Sequence, residues 1–204
     1  MAATHPLIIC DVDEVVLHFV APFEVFLNRQ GLQLIKRSYA LSGNVIDQAS
    51  GEALPGDRVG PLVQAFFSEE SHAQEAIDGS AEALADLSTH ADILFLTNVP
   101  SAIRDRRGKR LVEHGMPYPV HVNDGPKGRA AAGLANGRQG PIFFLDDIGQ
   151  NLRSVGEHVP SATLIQFIGD VSFFDLAPEE RIVDFKTRDW DQTKAFILSR
   201  LDAA

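Results

Sequence analysis

Four polar groups interrupt apolar stretches of this chain. Asp11 and Asp13 follow Leu7-Ile8-Ile9-Cys10, and Thr97-Asn98 follows Ile93-Leu94-Phe95-Leu96. Lys127 sits in Gly125-Pro126-Lys127-Gly128, and Asp146-Asp147 follows Ile142-Phe143-Phe144-Leu145. Asp11 and Asp13 are two apart, so on extended backbone their side chains share a face. Carboxylates that close need a cation, a shared proton or solvent between them. Two readings of the pair stand open: a divalent metal beside a nucleophile, or a solvated strand end with two surface acids. Read together, the four groups suit one chemistry. Acids from two segments can hold Mg2+, which takes oxygen ligands in an octahedron. The Thr97 hydroxyl, nearby main-chain N–H groups and the Lys127 ammonium can hold a phosphoryl group. One carboxylate can attack phosphorus to form an acyl phosphate, and a second can protonate the leaving oxygen and later activate water.

That chemistry requires the four groups to meet, and the apolar pattern says how. Short apolar runs rich in β-branched residues read as buried strands, predicted over 7–10, 91–96, 120–122, 141–145 and 162–167, with a sixth over 181–185 at an edge. A buried strand does not tolerate carboxylates in its middle, so the first strand ends at Cys10 or Asp11. Helices are predicted between them. One runs from Pro22 in its first turn to Gly31 at its end, with Phe23, Phe26 and Leu27 as its stripe. Others are predicted over 60–67, over 80–88 with Ser80 as N-cap, and over 101–114, 128–135, 150–155 and 190–201. Residues 32–60 read as irregular structure with short helices or strands. The alternation predicts an α/β fold: a mainly parallel sheet, helices on both faces, right-handed crossovers. In such a sheet the strand carboxyl ends lie along one edge, where ligands bind.

The four groups, in this order, resemble the motifs of the phosphatase branch of the haloacid dehalogenase-like (HAD) superfamily. The match runs over Asp11-Val12-Asp13-Glu14-Val15, Leu94-Phe95-Leu96-Thr97-Asn98, Lys127 and Phe143-Phe144-Leu145-Asp146-Asp147, from Leu7 to Asn151. The resemblance implies a Rossmann-like core over 1–19 and 78–204, with a small cap inserted after the first strand over 20–77. It implies Asp11 as nucleophile and metal ligand. Asp13 would be general acid and base, its main-chain carbonyl also meeting the metal. Thr97 and the Asn98 N–H would hold the phosphoryl group, and Lys127 would neutralise charge. Asp146 and Asp147 would position Mg2+, Asp147 being the safer ligand, with Asn151 as a hydrogen-bonding support. The expected activity is Mg2+-dependent hydrolysis of a small phosphorylated metabolite through an aspartyl-phosphate. The same residues also serve transfer to another acceptor, as in a mutase, and the same fold could serve a non-catalytic binding module. Dehalogenation ranks below hydrolysis because that branch lacks a carboxylate at the Asp13 position. Members often carry Gly where this chain has Glu14, which is expected to face solvent or to meet a cationic group. Lys36, Arg37, Asn44 and Arg58 are the candidate cap contacts, and His18, close to the first motif, is expected to pack.

Composition narrows the partners. The 204 residues carry a formal charge of -10, which argues against a nucleic-acid backbone as ligand. The basic cluster from Arg104 to Arg110 reads as a solvated helix face. The single cysteine, Cys10, excludes an internal disulfide and is expected to point into the core. No leader and no membrane span is visible, so the cytoplasm is the expected compartment and no membrane partner is expected. The seven histidines show no metal-binding i, i+4 pair.

Overall fold

The computed structural model describes residues 5–203. Its organising strand is β1 (Leu7–Cys10), which is buried throughout and paired in parallel on both sides. One neighbour is β4 (Asp92–Thr97) and the other is β6 (Ile142–Asp146). Beyond β4 lies β5 (Val120–Val122), and beyond β6 lie β7 (Ala162–Phe167) and β8 (Phe185–Thr187). The order is therefore β5-β4-β1-β6-β7-β8, all parallel. The sixth strand is present, but it starts where it was expected to end. Residues 181–184 approach β7 as a loop, in which Asp184 Oδ2 accepts the Leu164 N–H at 2.8 Å.

Strand alternation divides the core into two layers. Leu7 and Ile9 pack with Leu94, Leu96, Ile142 and Phe144 under α5 (Gly128–Ala135) and α6 (Gly149–His158). Ile8 and Cys10 pack with Ile93, Phe95, Phe143 and Leu145 on the other face. That face is covered by α3 (Ser80–Leu87), α4 (Arg104–Glu113) and α8 (Trp190–Asp202). Cys10 is fully buried there, and burial pushes its thiol well above the usual range, which leaves it inert. Gly79, at φ 78°, precedes α3, so Ser80 is its first residue and not the N-cap. A left-handed residue at that corner demands glycine, which a serine cannot replace without strain.

Between β1 and α3 the chain builds α1 (Val20–Asn28), an antiparallel pair β2 (Leu32–Leu34) and β3 (Val45–Asp47), and α2 (Gly56–Glu69). α2 begins four residues before the expected position. Phe23 and Phe26 of α1 and Phe66 and Phe67 of α2 form the aromatic centre of this segment, packed against Val99, Ile103, Ile168 and Phe173 of the sheet side. A short helix not foreseen from the sequence, α7 (Val171–Leu176), supplies Phe173.

One glycine fixes the distance between α5 and α6. A Cβ on Gly128 would collide with the main-chain oxygen and hydroxyl of Ser154, and the Gly128 N–H donates to that hydroxyl at 3.1 Å. Gly128→Ala should therefore lower unfolding stability by roughly 1–3 kcal/mol, as overpacking does. Denaturant melts of the two proteins check this; equal midpoints would contradict the close approach.

Candidate active site

The strand ends place the acids. Asp11 continues the Leu7–Ile9 face, and Asp146 continues the Ile142–Phe144 face, so both carboxylates emerge on the α5/α6 side. Lys127 waits there, directly before α5. Its ammonium is 1% exposed and lies 2.6 Å from Asp11 Oδ1 and 2.7 Å from Asp146 Oδ2. Asp11 Oδ1 is buried, and among the described residues its one polar partner is that ammonium. Asp146 is saturated by comparison. It accepts from Lys127, from the Ile148 N–H at 2.9 Å and from Asn151 Nδ2 at 3.0 and 3.2 Å. The Asp147 carboxylate meets only the Tyr39 hydroxyl, 3.0 Å from Oδ2, while its main-chain oxygen accepts from that hydroxyl at 2.7 Å and from Gln166 Nε2 at 3.1 Å.

Asp11, Asp146 and Asp147 each offer an oxygen within 4.8 Å of the others. Three carboxylates face one ammonium, which leaves an excess of two negative charges. Hard oxygen donors with that imbalance suit a divalent cation such as Mg2+. Asp11 and Asp147 have oxygens free to bind it, whereas Asp146 is occupied in holding Lys127. Without a cation the crowding appears as a shift in protonation. Burial raises Asp11 to about 7; Lys127 opposes this, while Asp146 and Asp13 add to it. Burial and the same neighbours push Asp147 well above the carboxylate range. Burial alone would lower Lys127, but Asp11 and Asp146 outweigh it and hold the ammonium above its ordinary value.

Asp13 has a different partner. Arg107 clamps it with Nη1 3.0 Å from Oδ1 and Nη2 3.2 Å from Oδ2. Gln74 Nε2 donates to Oδ1 at 2.8 Å, and the Thr97 hydroxyl lies 3.3 Å from Oδ2. Thr97 continues the Ile93–Phe95 face, opposite to Asp11, and is fully buried, so its hydroxyl supports Asp13 and does not line the cleft. Asn98 does line the cleft. Its Nδ2 donates to the Gly125 carbonyl and its Oδ1 accepts from Asn123, which braces the turn leading to Lys127. Arg107 corrects the reading of its cluster as a solvated face, being 3% exposed. It stands midway between Ile103 and Leu111, both buried, on one i, i+4, i+8 stripe. That spacing was the available signal. Gln74 and Tyr39 carry no comparable signal, since each lies in an irregular polar stretch.

Glu14 is also buried, which overturns the expectation that it faces solvent. Its φ is 61°, the left-handed region that glycine enters freely. Its Oε2 accepts the N–H groups of Phe19 and Val20 at 3.0 and 2.8 Å, anchoring the start of α1. That capping, with the favourable helix dipole, offsets a left-handed cost of roughly 1–2 kcal/mol. His18 Nδ1 lies 3.9 Å from Glu14 Oε1, which raises the imidazole above its usual range. Among the four expected insert contacts none lines the cleft. Lys36 pairs with Glu24 and Asp170, Asn44 holds its own loop, and Arg37 and Arg58 are exposed.

No protein-family model matches the sequence, and no curated protein matches it. Solved structures match along the whole chain. A haloacid dehalogenase-like family hydrolase from Streptococcus pneumoniae is 12% identical with TM-score 0.64, over 95% of this chain and 99% of that one. A predicted phosphoglycolate phosphatase from Haemophilus somnus is 14% identical with TM-score 0.63, over 96% and 99%. The defluorinating L-2-haloacid dehalogenase Rha0230 is 15% identical with TM-score 0.59, over 95% of each chain. At these identities the likeness is one of fold: the chain has a HAD-like fold, with a cluster of aspartates at its strand ends in which Asp11 and Asp146 are buried and Asp147 is half-buried. A predicted phosphatase and a dehalogenase both share it. Among the described residues no helix is long and apolar enough to cross a membrane.

The protonation shifts have a measurable consequence. A carboxylate raised from 3.8 to about 7 stabilises the fold below its unfolded value and loses that contribution as pH rises through about 7. Asp147 has the same sign, and Lys127 stays charged across this window. In chelator, Tm should therefore fall between about pH 4 and 8, less steeply in Asp11→Asn, and Mg2+ should restore it at the upper end. Identical Tm profiles for the two proteins, with no response to Mg2+, would contradict the assignment.

Proposed function

We propose that this protein is a Mg2+-dependent phosphatase that hydrolyses a small phosphorylated metabolite in the cytoplasm through an aspartyl-phosphate on Asp11. The observation that carries the reading is Asp11 Oδ1: buried and met only by the Lys127 ammonium, at 2.6 Å. A nucleophile must keep an unshared pair, and a phosphoryl oxygen needs a cation beside that pair.

Asp11 and Asp147, with Asp146 behind them and the Asp13 main-chain oxygen, would hold Mg2+. Bound there, Mg2+ polarises the phosphoryl group and offsets its charge. Asp11 attacks phosphorus, and the bond from phosphorus to the leaving oxygen breaks. Asp13 gives that oxygen its proton. In the second half Asp13 takes a proton from water, the water oxygen bonds to phosphorus, and the bond from Asp11 to phosphorus breaks to release phosphate. Lys127 offsets charge on Asp11 and on the transferring group throughout. Asn98 offers its main-chain N–H to the phosphoryl oxygens. Arg107 sets the timing of the proton. While it grips both oxygens of Asp13 that carboxyl is an acceptor, so the acid step includes release of one oxygen.

Asp13 also favours phosphate esters over haloacids. A departing halide needs no proton, whereas an alkoxide does. Hydrolysis is tested by Mg2+-dependent phosphate release from a generic aryl phosphate. Asp11→Asn should lose at least about a thousandfold in kcat, and Asp13→Asn about a hundredfold or more. Equal rates in Asp11→Asn and the parent would overturn the reading. Formation of a transferred phosphoester in place of phosphate would assign a phosphotransferase.

A further inference from the structure

The cleft above Asp11 has a volume of about 520 Å3, far more than a phosphate needs. The space beyond Asp11 and Lys127 therefore belongs to the leaving group. Its walls are apolar. Leu41, Val63 and Phe67 come from the insert, and Ile148, Ile168 and Phe173 face them from the sheet side. Apart from the aspartates and Lys127, the charged residues in this lining are Glu14, Arg153 and Glu180. Arg153 is paired with Glu180. Glu14 is an anion already engaged with the start of α1. Among the described residues, each cation in the lining is already paired with a carboxylate of the protein: Lys127 with Asp11 and Asp146, and the half-exposed Arg153 with Glu180. Lys36 of the insert, whose ammonium lies 5.8 Å from the ring centre of Phe173, is held by Glu24 and Asp170. A carboxylate or second phosphate on the leaving group would be desolvated without a partner and would face Glu14.

Resting on the phosphoryl-transfer reading above, we propose that the substrate class is a phosphate monoester of an uncharged, apolar alcohol of about ring size, aryl or branched alkyl. The walls reward such a group by removing its apolar surface from water. They disfavour phosphorylated acids, because the basic side chains of the lining already face carboxylates of the protein. Specificity here comes from missing cations as much as from contacts present.

The test separates binding from turnover. Benzylphosphonate and 4-carboxybenzylphosphonate differ by one charge at the far end and cannot be hydrolysed. Titrated calorimetrically into the full chain with Mg2+, the neutral compound should bind at least about tenfold tighter. Leu41→Arg, at a half-buried lining position, supplies the missing cation and should shrink or reverse that ratio. Val63→Arg makes the same change from α2, should either protein fold poorly. Equal binding of the two compounds, tighter binding of the carboxylate, or no binding of either would overturn the substrate class. Phenyl phosphate is assayed in parallel. Selective binding of benzylphosphonate with no phosphate released from phenyl phosphate would sustain the cleft's selectivity and overturn hydrolysis instead.

Discussion

A buried lysine shared between two aspartates is the contact on which the site depends. The Lys127 ammonium, 1% exposed, is 2.6 Å from Asp11 and 2.7 Å from Asp146. A charge so desolvated persists only where it is paired. The pairing requires β1 and β6 to be neighbours in register, so that the two acids leave the sheet side by side. It also requires α5 to begin close to α6, which the absence of a side chain on Gly128 permits. Asn151 on α6 then completes the hydrogen bonding of Asp146, so of the two aspartates that share Lys127 Asp11 is the one left open. Topology, helix packing and electrostatics therefore converge on one nitrogen atom.

The second acid is governed separately. Asp11 and Asp13 lie two residues apart and line the same cleft, yet one faces Lys127 and the other faces Arg107. Neighbouring carboxylates in unlike environments are how a site divides nucleophile from acid. The Arg107 guanidinium also lies 5.2 Å from the ring centre of Phe67, and Arg106 donates to the carbonyls of Phe67 and Ser68. The element that holds the acid is thus packed against the insert. Tyr39, from the loop between β2 and β3, reaches Asp147. The insert meets the site at both its acidic ends, while its interior face toward the cleft is apolar.

The legible parts of the sequence were those with a continuous apolar run or a helical stripe. Short apolar runs marked β1, β4, β5, β6 and β7, and strand ends marked Asp11, Asp146 and Asp147 as one cluster, because a parallel sheet aligns its carboxyl ends. Lys127 was legible from its place before a helix. What escaped were contacts set by tertiary packing. Charge composition hid Arg107 within a cluster that looks solvated, although its spacing from Ile103 and Leu111 marked the buried stripe. Parity assigned Thr97 to the face opposite Asp11, so its hydroxyl supports Asp13. Glu14 was conspicuous as a departure from glycine. Its reason is a left-handed φ repaid by two main-chain N–H groups six residues away at most. The insert stayed opaque because two three-residue strands carry too few positions to show alternation.

The central claim is that Asp11 becomes covalently phosphorylated. Turnover of an aryl phosphate with Mg2+, quenched in acid within a few milliseconds and digested, exposes the intermediate to peptide mass spectrometry. The account predicts a phosphoryl group on the peptide containing Asp11, absent from Asp11→Asn. Phosphate release by the parent protein with the phosphoryl group on another residue, or with no adduct at any quench time, would contradict it.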